Sequence, residues 1–194
     1  MAGKEPVSIA PADGKLGVLL PGLGAVSTTF IAGVEAIKRG IGEPIGSLTQ
    51  LGRVRLGKRS DGRDPLIKDF VPLAGLDDLE FAAWDIFEDN AYQAARKAAV
   101  LDPALTERVR EPLEKIVPME AVFDRSYIRR IKGPNVKEAR TKMEKAEMLM
   151  DDIRQFQKRT GVARTVMIWC GSTEVFHKPS QVHETIKKFE RGLQ

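Results

Sequence analysis

The first regular segment of the chain joins an apolar run to a helical repeat. Residues 16–20 form a short apolar block, which is typical of a buried strand. The block runs into a glycine-rich turn and then into a segment with Phe30, Val34 and Ile37 at helical spacing on one face. A strand, a tight turn and a helix in this order predict the opening βα unit of an α/β fold.

The same alternation of strand and helix signals returns from Leu79 onward. Residues 79–84 predict a second strand with Asp85 just past its end, and residues 91–100 predict the helix that follows. Asp102 is a predicted N-cap for the next helix, and Pro112 either interrupts this helix or marks a second helix start. These signals predict a second βα unit.

The last third of the chain continues this order. Residues 117–124 are a short strand candidate. Asn135 is a predicted N-cap of a long helix, with Glu138 completing a capping box and Gly161 closing the helix. Residues 163–170 form a nearly continuous apolar run, which predicts a strand covered on both faces. The predicted fold class is therefore α/β, a Rossmann-like domain with a mostly parallel sheet.

Two stretches of the chain show neither the strand pattern nor the helix pattern of apolar residues. Residues 1–14, rich in Pro, Gly and Ala, predict a loose N-terminal arm, and residues 15–194 are predicted to form the α/β domain. Within that domain, residues 40–76 form a long insertion with an extended piece near 53–56 and then a basic loop. The loop is either a solvated insertion or a segment whose Arg and Lys side chains face a phosphate or a neighbouring subunit.

Composition narrows the class of protein further. Lys and Arg total 31 against 27 Asp and Glu, and the resulting net charge of +4 is compatible with a phosphorylated or acidic ligand. The motifs typical of RNA and DNA binding are absent, so we expect no nucleic-acid partner. The single cysteine, Cys170, excludes an internal disulfide, and no stretch is long enough to cross a membrane, so we expect a cytoplasmic protein. His177 and His183 match no metal-ligand spacing, and we expect no metal site.

The glycine turn is the strongest candidate for a ligand site. Gly22 and Gly24 match the first two glycines of the dinucleotide fingerprint, and Ser27 stands in the place of the third. A helix start offers unpaired backbone N–H groups and a partial positive charge, and glycines let a pyrophosphate approach. Glu43 has the spacing of the acidic residue that binds ribose, but it lies in a loop-like stretch. The alternative is an ordinary strand-to-helix connection that uses glycine for a tight bend.

Five segments of the chain resemble one known family. They are PGLGAVSTTFIAGVEA at 21–36, RLGKRSDGRDPLIKDFVPL at 55–73, WDIFEDNAYQAA at 84–95, VPMEAVFD at 117–124 and MIWCGSTEVF at 167–176. Together they resemble the myo-inositol-1-phosphate synthases, also called inositol-3-phosphate synthases, and particularly their bacterial-type members, along almost the whole chain. The resemblance implies an isomerase that converts glucose 6-phosphate to inositol phosphate by oxidation, enolisation, aldol cyclisation and reduction on one tightly held NAD. It also implies a homo-oligomer, a tetramer.

The resemblance further implies which residues contact NAD. The turn at residues 22–26 is expected to hold the pyrophosphate, Asp85 to contact the cofactor, and Ala121 and Val122 to line its adenosine side. Ligands of open α/β sheets bind outside the carboxyl ends of the strands, so the loop after residue 169 is expected to join this site. Residue by residue, the contacts implied for this turn and this loop are Gly22, Leu23, Gly24, Ala25, Val26, Cys170, Gly171, Ser172 and Thr173.

Members of this family are about twice as long as the chain, and their sugar-phosphate and proton-transfer residues lie in the later part. We therefore expect the N-terminal portion of a larger protein, without the catalytic and oligomerisation domain, and assign no catalytic residue. Alone, this portion is expected to hold NAD weakly and to be inactive. A stand-alone oxidoreductase or nucleotide sensor predicts instead tight NAD binding without a partner. A non-enzymatic interaction domain predicts assembly that survives changes at Gly22 and Gly24.

Overall fold

A four-stranded sheet organises the computed structural model, which describes residues 9–126, 131–171 and 178–194. The strands are β1 (Leu16–Pro21), β2 (Leu79–Asp85), β3 (Met119–Glu120) and β4 (Arg164–Met167). Their spatial order is β3-β2-β1-β4, and every pairing is parallel. Because the four strands run in one direction, their carboxyl ends meet at one edge of the sheet. The predicted α/β class with a mostly parallel sheet is confirmed.

Helices connect the strands, as parallel pairing requires. The helices in the described ranges are α1 (Ala25–Lys38), α2 (Leu48–Leu51), α3 (Ile67–Phe70), α4 (Ala91–Ala98), α5 (Pro103–Arg108), α6 (Arg110–Glu114), α7 (Lys142–Thr160) and α8 (Ile186–Leu193). Short 3-10 turns lie at Arg59–Asp61, Leu76–Asp78 and Gln181–His183. Residues 9–14 of the predicted arm contain no helix or strand.

The two faces of the sheet have separate hydrophobic cores. Side chains alternate along a strand, so Val18 and Leu20 of β1 belong to one core and Leu19 to the other. The first core includes residues of α1, α4 and α6, with Ile31 fully buried. The second core packs against α7 through Phe156, which is 1% exposed. The sheet is therefore covered on both faces around β1 and β2.

The buried face of helix α1 is centred on Ile31, whereas the predicted apolar face begins one residue earlier, at Phe30. Ile31 is fully buried and Val34 is 6% exposed, whereas Phe30 is 38% exposed. The ring of Phe30 meets the ring of Phe81 edge-on, with the centroids 5.7 Å apart. The apolar repeat therefore locates the helix correctly, but the centre of its buried face is Ile31.

Local capping signals set the bounds of the middle helices. The Asp102 carboxylate caps α5 by accepting hydrogen bonds from the N–H groups of Ala104 and Leu105, at 2.9 and 3.0 Å. The predicted interruption falls at Val109, between α5 and α6. Pro112 has no N–H to donate to the carbonyl four residues before it, and this explains why α5 ends there. Both predictions are confirmed.

The long helix begins later than its predicted cap. The prediction that Asn135 is the N-cap is wrong, because the N-cap of α7 is Thr141, whose hydroxyl accepts from the N–H of Glu144 at 3.1 Å. Glu144 completes the capping box. The backbone near Val136 is extended instead, because it forms a parallel bridge with Ala121 after β3. A sheet contact thus replaces the first helical turns that the local signal predicts.

Strand β4 is an edge strand in the described part of the chain. The apolar run at 163–170 predicts burial on both faces, and this prediction is wrong: Val166 and Met167 are 41% and 51% exposed, and Trp169 beyond them is 65% exposed. Of the strands described, only β1 pairs with β4. The apolar composition of this strand therefore exceeds what its described neighbours cover.

Candidate functional site

Gly22 ends β1 at a position that only glycine fits. Its φ is +96°, in the left-handed region that side chains rarely adopt. A Cβ on Gly22 would lie 2.7 Å from the carbonyl oxygen of Cys170 and 2.8 Å from the Cα of Gly171. The Gly22 N–H donates to the carbonyl of Trp84 at 2.8 Å. This glycine is thus required by the packing of the turn between β2 and the end of β4.

Gly24 differs from Gly22, because nothing in the described protein requires it to lack a side chain. It is the N-cap of α1, with φ −91° and ψ −154°, a conformation open to other residues. A Cβ on Gly24 would meet no atom within 4 Å. The space beside Gly24 is therefore open to a ligand, and a side chain there would fill it.

The first turn of α1 offers unpaired donors beside this space. The first intrahelical hydrogen bond runs from the Thr28 N–H to the Gly24 carbonyl at 3.0 Å, so the preceding N–H groups lie outside the helical ladder. Among the described residues, the N–H groups of Ala25, Val26 and Ser27 have no acceptor. The first turn contains no acidic residue. These donors and the positive end of a 14-residue helix favour a bound anion.

Ser27 replaces the third glycine of the fingerprint without displacing the helix. Its side chain is fully buried, and its hydroxyl donates to the carbonyl of Gly22. The helix begins at Ala25, so the serine lies within its first turn. A small side chain therefore fits where α1 meets β1, and its hydroxyl ties the helix back to the turn.

Asp85 links the turn to the end of β2. Its Oδ2 accepts from the N–H of Leu23 at 2.6 Å, and its Oδ1 accepts from the N–H of Phe87 at 3.0 Å. Both carboxylate oxygens thus bond to backbone groups of two neighbouring loops. This arrangement fixes the position of the glycine turn, and the predicted contact of Asp85 with the cofactor stays a prediction.

Asn135, which the sequence pattern predicts at the start of a helix, instead holds the ends of β2 and β3 together. Its side-chain amide donates to the carbonyl of Asp85 at 2.8 Å and to that of Met119 at 3.3 Å. Its backbone N–H donates to the carbonyl of Ile86 at 3.0 Å. A Cβ on the nearby Gly133 would lie 2.0 Å from the Ile86 oxygen. The sequence Gly133-Pro134-Asn135 favours a tight loop, and this signal could have indicated that Asn135 does not begin a helix.

Replacing Asn135 with alanine is expected to lower the free energy of unfolding by about 1–3 kcal/mol, because two partly buried carbonyls lose their donor. Urea denaturation followed by circular dichroism measures this change. Gln155→Ala, on an exposed position of α7, is the control and is expected to change stability by less than about 0.5 kcal/mol. Equal losses in the two variants would contradict the supporting role of Asn135.

The other predicted contacts follow the same edge of the sheet. Ala121 and Val122 come directly after β3, and Val122 is 41% exposed. Cys170 follows β4, and its N–H donates to the carbonyl of Pro21 at 2.9 Å. The structure therefore brings Cys170 and Gly171 against the glycine turn and places Ala121 and Val122 two strands away along the edge. Ser172 and Thr173 lie outside the described residues.

One titratable side chain with a shifted pKa, Glu107, lies on the helices that follow β2. The Tyr92 hydroxyl donates to Glu107 at 2.7 Å and is the main reason why the pKa of Glu107 is lowered. This exposed pair lies on α4 and α5. Within the described ranges, no group of three or more His, Cys, Asp or Glu side chains is placed to hold a metal ion. What the carboxyl edge offers is a binding surface for an anion.

A parallel sheet, a glycine turn and an open helix start together define a dinucleotide-binding α/β domain. A family model described as myo-inositol-1-phosphate synthase, of the NAD-binding type, matches residues 16–194. The chain therefore belongs to the myo-inositol-1-phosphate synthase family and forms its NAD-binding part.

Individual relatives agree with this family. Inositol-3-phosphate synthase 1 of Bacteroides thetaiotaomicron is 42% identical over 186 residues, which cover 95% of this chain and 43% of that protein. Inositol-3-phosphate synthase isozyme 1 of Arabidopsis thaliana is 34% identical over 82% of the chain and 34% of its own length. The crystal structure of inositol-3-phosphate synthase from Caenorhabditis elegans matches with a TM-score of 0.82 and 28% identity, over 92% of this chain and 39% of that one.

Each of these matches covers most of this chain but only part of the relative. The chain spans less than half the length of the relatives just described. The region they share with this chain is the NAD-binding portion. No helix in the described ranges has the length and hydrophobicity needed to span a bilayer.

Proposed function

We propose that this chain is the cofactor-holding part of an enzyme that converts glucose 6-phosphate to inositol phosphate by internal oxidation, aldol cyclisation and reduction, an isomerase overall. The observation that carries the proposal is the open space at Gly24 beside the unpaired N–H groups of Ala25, Val26 and Ser27. Membership of the synthase family supports the reaction class. NAD held at this turn would supply reversible hydride transfer for the oxidation and for the later reduction.

In this proposal, different residues at the carboxyl edge of the sheet bind different parts of NAD. The N–H groups of Ala25, Val26 and Ser27 would bind the pyrophosphate, and the positive end of α1 would stabilise its charge. Asp85 holds the Leu23 N–H and so fixes the turn in the conformation that presents these donors. We propose that Ala121 and Val122 would line the adenosine side of NAD and that Cys170, Gly171, Ser172 and Thr173 would also contact the cofactor.

The wider assembly is also a proposal. Family membership supports a homo-oligomer, with a tetramer as its form, and the half-exposed apolar residues of β4 leave surface for further protein to cover. A single cysteine supports a reducing compartment, and we propose the cytoplasm.

A chimera tests this function. The matched portion of the Bacteroides enzyme is replaced with the corresponding residues of this chain, and inositol phosphate formation from glucose 6-phosphate is measured with NAD present. The chimera is expected to form inositol phosphate without accumulating NADH, and its Gly24→Val variant is expected to form none. A chimera that folds and binds NAD but yields no inositol phosphate would contradict the proposal.

The NAD affinity of the 194-residue chain separates the alternatives. The synthase assignment predicts weak, saturable NAD binding and no turnover by the chain alone. A stand-alone oxidoreductase or sensor predicts tight binding without any partner. Calorimetric titration with NAD and with NADP measures both affinities, and tight binding would favour the stand-alone function.

A further inference from the structure

The basic hairpin at residues 52–67 has a defined backbone. The Leu56 N–H donates to the carbonyl of Arg63 at 2.9 Å, across the two arms of the hairpin. At the tip, the Asp61 carboxylate accepts from the Lys58 N–H at 2.9 Å. These bonds fix the positions from which the side chains of the hairpin extend.

Three arginine side chains of this hairpin line one cleft. Arg55, Arg59 and Arg63, together with Gly62 and Asp64, surround a space of about 290 Å³. Gly62 has φ +62°, and a Cβ there would meet no atom within 4 Å, so this side of the cleft is open. A space of this size admits a small molecule or part of one.

The described protein offsets only part of the positive charge of the cleft, because Asp64 is the single acidic residue among those that line it. Arg55, Arg59 and Arg63 form no ion pair and no side-chain hydrogen bond with any described residue. Residues 52–66 contain five basic and two acidic side chains, a formal charge of +3 out of +4 for the chain. Asp61 is already bonded at the tip. An anion between the three guanidinium groups would relieve their mutual repulsion.

We propose that Arg55, Arg59 and Arg63 bind a small phosphorylated anion at this cleft, independently of the glycine turn. A guanidinium group is planar and presents paired N–H donors that match the oxygens of a phosphoryl group. The cleft shares no residue with the turn at 22–26. Its positive charge is confined to one hairpin, which favours a compact ligand over an extended polyanion. Because the side chains are exposed, added salt is expected to weaken binding.

Calorimetric titration with pyrophosphate tests the cleft, with the Gly24→Val substitution present in every variant so that the turn is blocked. The triple substitution Arg55→Gln, Arg59→Gln and Arg63→Gln is expected to weaken pyrophosphate binding by about tenfold or more, since it removes several charge-assisted hydrogen bonds. The control carries Arg125→Gln, Arg159→Gln and Arg191→Gln, three exposed arginines outside the hairpin. It has the same net charge and is expected to bind as the Gly24→Val parent does.

Three outcomes would overturn the proposal. Equal weakening in the two triple variants would show a diffuse charge effect, and absence of saturable pyrophosphate binding by the parent would show that no such site exists. A change in oligomeric state of the hairpin variant, measured by light scattering, without a change in pyrophosphate affinity would assign the arginines to contact between subunits. Thermal unfolding of each variant shows whether it is folded.

Discussion

Gly24→Val is expected to abolish NAD binding by the chain while leaving its fold intact. In the structure a Cβ at residue 24 would meet no described atom within 4 Å, so we expect the described fold to accommodate the substitution. The same space borders the unpaired N–H groups at which we propose that a pyrophosphate binds, and a valine side chain would occupy it. We expect affinity to fall by about a hundredfold or more. Calorimetry with NAD measures the loss, and circular dichroism measures the fold.

Gly33→Ala is the matched control on the same helix. A Cβ at Gly33 also meets no atom within 4 Å, but this residue lies well inside α1. Alanine there is expected to raise the free energy of unfolding by about 0.5–1 kcal/mol and to leave NAD affinity unchanged. A folded Gly24→Val protein with the affinity of the parent would refute the assignment of the turn.

Asp152→Ala is expected to cause the largest loss of stability, about 3–5 kcal/mol. The Asp152 Oδ2 lies 2.9 Å from the Lys137 Nζ and accepts the indole N–H of Trp84 at 2.7 Å. Lys137 is 6% exposed, so removal of the carboxylate leaves a buried ammonium without its partner. Urea denaturation measures the change. Tryptophan fluorescence is a suitable probe, because Trp84 contacts the altered group.

Two further variants isolate the effect of burial. Asp151→Ala removes the adjacent carboxylate, whose pair with Arg154 is exposed on both sides, and is expected to cost at most about 1 kcal/mol. The double variant Lys137→Met with Asp152→Leu removes both buried charges and is expected to recover most of the stability. A double variant as unstable as Asp152→Ala would show that packing, and not the unpaired charge, causes the loss.

The sequence predicts those parts of the fold that local chemistry determines. The first strand, the glycine turn and helix α1 lie within one continuous segment, and each signal concerns residues a few positions apart. Asp102 caps its own helix, and Gly161 ends α7 with φ +67° for the same local reason. The predicted turn residues and Asp85 are neighbours in the structure because parallel strands place their ends together.

The elements that sequence reasoning misplaced depend on contacts between distant segments. Asn135 carries a good capping signal, but its amide bonds to the end of β2, fifty positions earlier. The burial of β4 depends on what lies beside it, and the apolar run at 163–170 alone does not specify that neighbour. The pairing of Lys137 with Asp152 joins a loop to α7 and leaves no periodic pattern. Local propensity cannot encode such long-range partners.

The central place of β1 has a consequence for how the protein is made. Leu16 pairs with Arg164, which follows it by 148 positions, so the sheet is completed only after residue 164 has left the ribosome. The backbone of Cys170, which packs against Gly22, emerges later still. Such high contact order slows folding and exposes apolar strands in the meantime. Nascent chains are therefore expected to complete the glycine turn only after residues 164–171 have emerged.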